Sequence, residues 1–552
     1  MPSSSGNTTS SDGGGTEWRS PFTADFEKLA KETLEKWHVP GLAIAVVDGD
    51  HVVSQGFGMA TLIPDNKPVT GDTLFYAGST TKAFTAAVLG ILVEAGTPLL
   101  PTSSQGGSGS GLSWKTKIAD ILPADFLLSN DDNAWATAHL TLEDAVCHRT
   151  GLSRHDFSLA RFYGSGPERH DATIQDVVRS LRYMPMAEEP RVKYQYCNVM
   201  FAVLSHCVEK LTGEWLGDTM RDMIWGPLKM GSTYLSLEEA METGELATGY
   251  YWSEDRSGLD GDEDGQKGDE GEIPPMGLQE VSGAGAVISS VNDYAKWIQC
   301  LLRESEPLGK GVHEELKRPK MIVGSGRGAY DVPQMYASGW FVASYKGHRV
   351  FTHSGGMEAY GAEVYFFPDD NYGVVTLGNT AISSNAAGEI LLWKLVDEKL
   401  GIPEEERYNW EAKWEGFIDD LQFKIDHAVE ILYPDYKEEN KTQSALKLES
   451  YAGTYYHPGY QNLTLTLGED GKTLRSERSE FTWQNKVELE HVSGEYWVLY
   501  STSLKAPGNM AIDGIAAVEF RIGVDGRVSK VGIEWRDTAS GVVDGWIWYD
   551  RL

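Results

Sequence analysis

The chain has 552 residues, of which 41% are apolar and 11% aromatic, so it can hold two or more domains with a large core. Its formal net charge of −33 repels phosphate backbones and anionic lipids, which argues against nucleic-acid or membrane binding. No uncharged apolar run reaches the roughly 18 residues of a membrane span, and four scattered cysteines without CxxC spacing indicate reduced thiols in a cytoplasmic protein.

The N-terminal part is predicted to contain a tail, a hairpin and a buried helix. Residues 1–20 read as a disordered polar tail, because they have neither the basic start nor the apolar core of a secretion signal. Two β-rich runs meet at Asp48-Gly49, which is a hairpin signal. Residues 79–95 are Ala-rich and free of proline, which predicts a helix that ends at Gly96. Residues 101–113 form a Gly/Ser-rich loop.

The rest of the chain divides into segments that differ in their pattern of apolar and turn-forming residues. A mainly helical stretch is followed by β-runs within 349–379 and a helix that closes near residue 401, so 21–401 is predicted to be one α+β domain with a mixed sheet, flanking helices and a helical subdomain. Residues 402–445 look like a connector. From 446 to 552, short alternating runs between Gly/Asp turns predict a small C-terminal antiparallel β-barrel or sandwich.

A serine and a lysine lie one helical turn apart at the start of the predicted buried helix. Ser79 and Lys82 share a face of that helix. A lysine buried among apolar neighbours loses its proton readily and can activate a hydroxyl as a nucleophile. The plain structural alternative is an N-capping serine and a lysine that reaches the surface.

Two further motifs could complete such a site. Tyr196 and Asn198 stand two apart at the entry to an apolar helix, where they can aim a phenol and an amide into one cleft. His353, Gly355 and Gly356 end a β-run, where the glycines allow close backbone approach and N–H donation to a substrate.

All three spacings recur elsewhere, so none is specific by itself. The repeats fall in the connector and the β-rich C-terminal part, which is not expected to form a cleft of the same design. They are Ser444 with Lys447, Tyr460 with Asn462, and His457 with Gly459.

Taken in order, the three motifs resemble the serine β-lactamase and penicillin-binding-protein superfamily, nearest its class C β-lactamase, esterase, D-aminopeptidase and acyltransferase branch. Further phrases such as "CHRTGL", "WGPLKMGSTY" and "YASGW" extend the resemblance over roughly residues 25–400. The phrase "LESYAGTYYHPGYQNLTL" makes 446–552 similar to the lipocalin-like domain attached to some of these hydrolases.

The resemblance implies a role for each motif residue. Ser79 is implied as the acylated nucleophile, Lys82 as its base and Tyr196 as the proton shuttle to the leaving group. Asn198 is implied to orient Lys82 and the substrate. The backbone N–H groups of Ser79 and Gly356 are implied to form the oxyanion hole.

The third motif departs from the family pattern. His353 stands where β-lactamases and transpeptidases have a lysine that helps to recognise a substrate carboxylate. With Gly355 and Gly356 it would contact the substrate, but a neutral histidine recognises carboxylates poorly. Histidine here resembles the esterase and D-aminopeptidase members, which argues against penicillin or peptidoglycan as the substrate.

Neither a metal nor a cofactor is predicted. The acidic stretch 260–271 approaches a calcium loop, but its twelfth position is Gly271 and no amphipathic helices flank it, so a solvated loop is favoured. Cys147 and His148 lack paired ligand spacing, which favours a structural histidine.

These observations predict a cytoplasmic serine hydrolase that cleaves a small-molecule ester or amide through an acyl-enzyme on Ser79. An acyltransferase that passes the acyl group to a natural-product hydroxyl is one alternative. A non-catalytic binding protein of the same fold is another. The substrate, a role in secondary metabolism and the oligomeric state stay open.

Overall fold

The structure is a computed structural model that describes residues 18–99, 111–128, 133–164, 166–253, 269–324, 326, 328–506 and 513–552. Residues 1–17 of the predicted tail, most of the Gly/Ser-rich loop and residues 260–268 of the predicted acidic loop lie outside the described residues. Residues 269–271, which were also predicted as part of that loop, belong instead to a strand that pairs with residues 249–253.

Helices occur mainly in the first 432 residues. They are α1 (Ala24–Lys36), α2 (Thr81–Glu94), α3 (Ile118–Ile121), α4 (Ala134–His139), α5 (Leu142–Val146), α6 (Ile174–Ser180), α7 (Asn198–Thr212), α8 (Leu216–Met220), α9 (Leu237–Glu242), α10 (Ser282–Gly285), α11 (Val291–Arg303), α12 (Lys310–Lys317), α13 (Ser383–Leu400), α14 (Trp410–Asp426) and α15 (Ala428–Leu432). None of these helices of the described part is long and apolar enough to span a membrane.

The strands before the barrel form one large sheet and three small ones. In chain order they are β1 (Gly41–Asp48), β2 (His51–Thr61), β3 (Lys67–Pro68), β4 (Phe75–Tyr76), β5 (Phe162–Tyr163), β6 (His170–Asp171), β7 (Thr233–Tyr234), β8 (Gly249–Ser253), β9 (Asp269–Ile273), β10 (Ile288–Ser289), β11 (Met321–Ile322), β12 (Met335–Tyr336), β13 (Phe341–Tyr345), β14 (His348–Met357), β15 (Tyr360–Phe367) and β16 (Tyr372–Gly378).

The large sheet joins the two ends of this part of the chain, as the sequence predicts. Its order is β11-β12-β13-β14-β15-β16-β1-β2-β3, so β1 lies between its hairpin partner β2 and the distant β16. Every pairing between its described strands is antiparallel, a more uniform arrangement than the mixed sheet that the sequence suggested.

Strand β1 is buried on both faces, because helices cover the sheet from two sides. Successive side chains of a strand point to opposite faces. Ala43 and Ala45 pack into the core of the helical part around α2 and α7, whereas Leu42 and Ile44 pack against α1 and α13. The predicted α+β fold is therefore confirmed.

The C-terminal strands close into an antiparallel barrel, which confirms that prediction. They are β17 (Gly453–His457), β18 (Gln461–Leu467), β19 (Leu474–Arg478), β20 (Asn485–Ser493), β21 (Tyr496–Ser503), β22 (Gly514–Ile522), β23 (Val528–Asp537) and β24 (Val542–Arg551). Pairing of β17 with β24 closes the ring. Barrel residues such as Tyr460 and Trp535 belong to the same apolar cluster as the helical part, so the barrel packs directly against it.

Candidate active site

Ser79 lies in a tight 3₁₀ turn, Gly78–Thr80, that leads directly into α2. Strand β14 packs against this turn so closely that a Cβ on Gly78 would lie 2.7 Å from the Gly356 nitrogen. Gly78 also has a φ of +51°, which favours glycine. Ser79 faces a cavity of about 550 Å³ between the helical part and the barrel.

Lys82 is completely buried one turn further along α2. Its Nζ lies 3.0 Å from Ser79 Oγ, 2.7 Å from Asn198 Oδ1 and 2.8 Å from the Ala284 carbonyl oxygen. Burial holds the pKa of Lys82 well below its usual value, because the charged form loses its hydration. The side chain therefore favours the uncharged amine.

An uncharged amine has two N–H donors and one lone pair, which fits the surroundings of Lys82. The Ala284 carbonyl can only accept. Asn198 Oδ1 also accepts, and its orientation is fixed because Asn198 Nδ2 donates to Asp156 Oδ1 at 2.9 Å. Both N–H donors thus have fixed acceptors, and the third contact of Nζ, to Ser79 Oγ, is left for the lone pair.

Tyr196 contacts the same serine from the opposite side. Its hydroxyl donates to Ser79 Oγ at 2.8 Å. Burial raises the pKa of Tyr196 above its ordinary value, and the Arg154 guanidinium, 5.0 Å from the ring centre, partly opposes this. The phenol is therefore protonated at neutral pH and can give a proton to a leaving group.

His353 lies on β14 as an uncharged ring. Its Nδ1–H donates to the Ser354 carbonyl at 2.7 Å, and its Nε2 accepts from the Tyr336 hydroxyl at 3.0 Å. Burial lowers the pKa of His353 to about 3, so it carries no charge for a substrate carboxylate.

The two glycines after His353 serve different contacts. A Cβ on Gly355 would lie 2.0 Å from the Ala77 carbonyl oxygen, so β14 can approach the serine turn only with glycine there. Nothing lies within 4 Å of the Cβ position of Gly356, which borders the open cavity. The structure thus brings together all seven predicted site residues.

Several residues around the cavity were not predicted from the sequence. Arg154 and Asp156 follow the Gly151 turn in a largely polar stretch, so nothing in the sequence marked them as part of the site. The Ala284 carbonyl has no side-chain signature, although the Gly283-Ala284-Gly285 run indicates close packing. From the barrel, Trp483 and Trp535 line the opposite wall.

The described residues give no sign of a metal centre. No group of three or more His, Cys, Asp or Glu side chains in that part of the chain is arranged to hold a metal ion. His148 instead supports the backbone, since its Nδ1 accepts from the Cys197 N–H at 3.1 Å.

Comparison with known families gives two matches. The Beta-lactamase family matches residues 26–397. A domain of unknown function (DUF3471) matches residues 437–543.

Two curated relatives illustrate the similarity in sequence. The unguisins hydrolase ungD' of Aspergillus campestris is 37% identical over 517 residues, which cover 93% of this chain and 90% of that protein. The D-aminopeptidase of Brucella anthropi is 25% identical over 407 residues, which cover 72% of this chain and 67% of that protein.

Solved structures agree on the fold. The octameric penicillin-binding protein homologue from Pyrococcus abyssi superposes with a TM-score of 0.56 at 17% identity, covering 95% of this chain and 99% of that one. The D-amino acid amidase from Ochrobactrum anthropi superposes with a TM-score of 0.52 at 18% identity, covering 68% of this chain and 100% of that one.

Proposed function

Because the chain belongs to the beta-lactamase family and is a serine hydrolase, we propose that it cleaves a small-molecule amide or ester through an acyl-enzyme on Ser79. One observation carries the proposal: Ser79 Oγ lies within hydrogen-bonding distance of both Lys82 Nζ and the Tyr196 hydroxyl. A base and an acid thus flank one nucleophile at the edge of a cavity.

Acylation begins at the lone pair of Lys82. As Ser79 Oγ bonds to the substrate carbonyl carbon, its proton passes to Lys82 Nζ, and negative charge develops on the carbonyl oxygen. The backbone N–H groups of Ser79 and Gly356 would receive that oxygen, because β14 lies against the serine turn.

Collapse of this intermediate breaks the bond to the leaving group. Tyr196 gives its phenolic proton to the departing nitrogen or oxygen and recovers a proton from the Lys82 ammonium, since both groups lie within hydrogen-bonding distance of Ser79 Oγ. Water then attacks the Ser79 ester while the Lys82–Tyr196 pair takes the water proton and returns it to Ser79 Oγ.

The substrate we favour is an amide whose acyl part is apolar and lacks a carboxylate beside the reacting carbonyl. The uncharged His353 offers no counter-ion to a carboxylate. The cavity walls are more apolar than polar and include the aromatic side chains of Phe341, Trp483 and Trp535. A relative named D-aminopeptidase supports the choice of an amide.

The acyltransferase alternative from the sequence stays a prediction, whereas the family match and the relatives named hydrolases argue against the non-catalytic alternative. An acyltransferase would use the same residues with an alcohol in place of water, so only the products distinguish it from a hydrolase. A non-catalytic binding protein would form no adduct. The cytoplasmic location and a role in secondary metabolism are likewise inferences from the sequence.

The test is intact-mass detection of an acyl adduct across a panel of esters, D-amino-acid amides and β-lactams. We expect adducts and turnover with apolar amides or esters, little reaction with β-lactams, and no adduct in Ser79→Ala. An adduct that persists in Ser79→Ala would contradict the assignment. Adding competing alcohols to the same assay separates hydrolysis from acyl transfer.

A further inference from the structure

The segment of residues 153–161 separates the catalytic residues from the barrel and contacts both. On the barrel side its main anchor is Asp544 of β24, which is 3% exposed. Asp544 Oδ1 accepts from the Ser153 hydroxyl at 2.7 Å and from the His155 N–H at 3.0 Å. One carboxylate oxygen thus fixes two points of the segment.

Other barrel groups hold the remainder of this segment. The contacts are Arg154 with Asp537 at 3.4 Å, Arg478 Nη2 to the Phe157 carbonyl at 2.6 Å, Thr482 N–H to the Leu159 carbonyl at 2.8 Å and Arg161 N–H to the Glu480 carbonyl at 2.9 Å. The segment therefore takes its position from the barrel along most of its length.

His155 shows that this position needs support. Its φ of +50° is in the left-handed region, which is unfavourable for a residue other than glycine. Its ring is held between the Tyr460 hydroxyl, 2.7 Å from Nδ1, and the Pro185 carbonyl, 3.0 Å from Nε2. Together with Asp544, these contacts stabilise the unusual backbone.

On the other side, the segment reaches the catalytic lysine through two side chains. Asp156, next in the chain after His155, accepts from Arg154 Nε at 2.9 Å and from Asn198 Nδ2 at 2.9 Å. Asn198 in turn presents its Oδ1 to Lys82 Nζ at 2.7 Å. Hydrogen bonds on either side of the peptide link between His155 and Asp156 thus connect β24 to Lys82.

We propose that Asp544 is a positioning residue of the catalytic site, which holds the 153–161 segment so that Asp156 and Asn198 fix the direction of Lys82. The barrel is then a working part of the hydrolase. The inference rests on the proposed acyl-enzyme function. It assigns a role in that site to a residue that lies about 390 positions further along the chain than the segment it holds.

The experiment measures the second-order rate of Ser79 labelling by a fluorophosphonate, followed by intact mass, in the full chain. Asp544→Ala is expected to slow labelling about 10- to 100-fold, because small displacements of catalytic groups cost rates of this order. Asp544→Asn is expected to recover to within about threefold, since its amide oxygen still accepts both hydrogen bonds.

Coupling to Asp156 distinguishes positioning from general stability. In an Asp156→Ala background the path to Asn198 is already broken, so adding Asp544→Ala should cost less than about threefold. Tyr433→Phe is the matched control, because it removes hydrogen bonds to Trp497 and Val518 elsewhere on the barrel. It should leave the labelling rate unchanged.

Three results would overturn the inference: folded Asp544→Ala that labels at the wild-type rate, an equal loss in both backgrounds, or Asp544→Asn as slow as Asp544→Ala. Should Asp544→Ala not fold, Ser153→Ala removes one of the two bonds. It should cost about three- to tenfold in rate and lose that effect in the Asp156→Ala background; equal losses would overturn the inference.

The wild-type arm keeps this inference distinct from the proposed function. Labelling at Ser79 of the wild-type chain supports the acyl-enzyme assignment, and the variants then decide the role of Asp544 alone. If Ser79 of the wild-type chain is not labelled, the proposed function fails and the role of Asp544 fails with it.

Discussion

The pairs Tyr196–Asn198 and Tyr460–Asn462 have the same spacing in the sequence but different surroundings in the structure. Tyr196 donates to Ser79 in the cavity, and Asn198 contacts Lys82. Tyr460 lies inside the barrel wall against His155, and Asn462 is exposed on β18. The first pair lies at the start of a helix that faces a cleft. The second pair lies at the start of a strand, where successive side chains point alternately into the barrel wall and into the solvent.

The two serine–lysine pairs likewise share a spacing in the sequence but differ in their surroundings in the structure. Lys82 has no exposed surface and touches Ser79, whereas Lys447 is exposed and Ser444 donates to the Leu446 carbonyl. Desolvation is what turns a lysine into a base at neutral pH. For the serine–lysine pairs, burial more than spacing therefore distinguishes the copy that is set up for proton transfer.

The largest expected effect is the loss of Ser79. Ser79→Ala should lower turnover by at least about 10⁴-fold and abolish all covalent labelling, because the substitution removes the nucleophile. Ser444→Ala, at the matching position of the connector, should leave both unchanged. Equal losses in the two variants would contradict the assignment of Ser79 as the nucleophile.

Removal of the buried lysine comes next. Lys82→Ala should lower kcat/KM by about 10²- to 10⁴-fold, as loss of a general base does. Lys447→Ala supplies the control, since an exposed lysine contributes nothing to proton transfer. Near-full activity of Lys82→Ala in steady-state assays would exclude this lysine from the mechanism.

A smaller loss is expected from the tyrosine. Tyr196→Phe keeps the ring but removes the donor to Ser79, so kcat should fall about 100-fold, most of all with amides, whose nitrogen must be protonated to leave. Tyr460→Phe removes a hydrogen bond to His155 and should cost less than about tenfold. A larger loss in Tyr460→Phe than in Tyr196→Phe would reverse the assignment.

The two histidine motifs can be compared through the pH dependence of the unfolding free energy. His353 keeps a pKa of about 3 when folded and titrates near 6.5 when unfolded, so the unfolded chain binds the proton first and stability falls as pH drops from 6.5 towards 3. Between pH 7 and pH 5 the loss from this residue is about 2 kcal/mol.

Urea unfolding at several pH values measures this contribution. The unfolding free energy of His353→Gln should fall less on acidification than that of the wild-type chain. His457→Gln should show a similar difference that stops growing near pH 4, because burial lowers the pKa of His457 to about 4. Parallel pH curves for the wild-type chain and His353→Gln would contradict the assigned burial effect.

The sequence was informative where function depends on side chains in short motifs. Local signals alone left Ser79, Lys82 and His353 ambiguous, and it was the order of the three motifs along the chain, which resembles a known superfamily, that singled them out. The Ala284 carbonyl and the Asp544 carboxylate could not be found in this way. A backbone oxygen has no residue signature, and the contact of Asp544 with Ser153 depends on how the barrel packs against the helical part.

The central claim is that an uncharged Lys82 takes the proton of Ser79, and the pH dependence of Ser79 labelling by a fluorophosphonate tests it most directly. An uncharged Lys82 predicts a rate that stops rising well below pH 10.5 and falls on acidification with a pKa far below the ordinary 10.5 of lysine. The fall should vanish in Lys82→Ala. A rate that keeps rising tenfold per pH unit until about 10.5 would contradict the account.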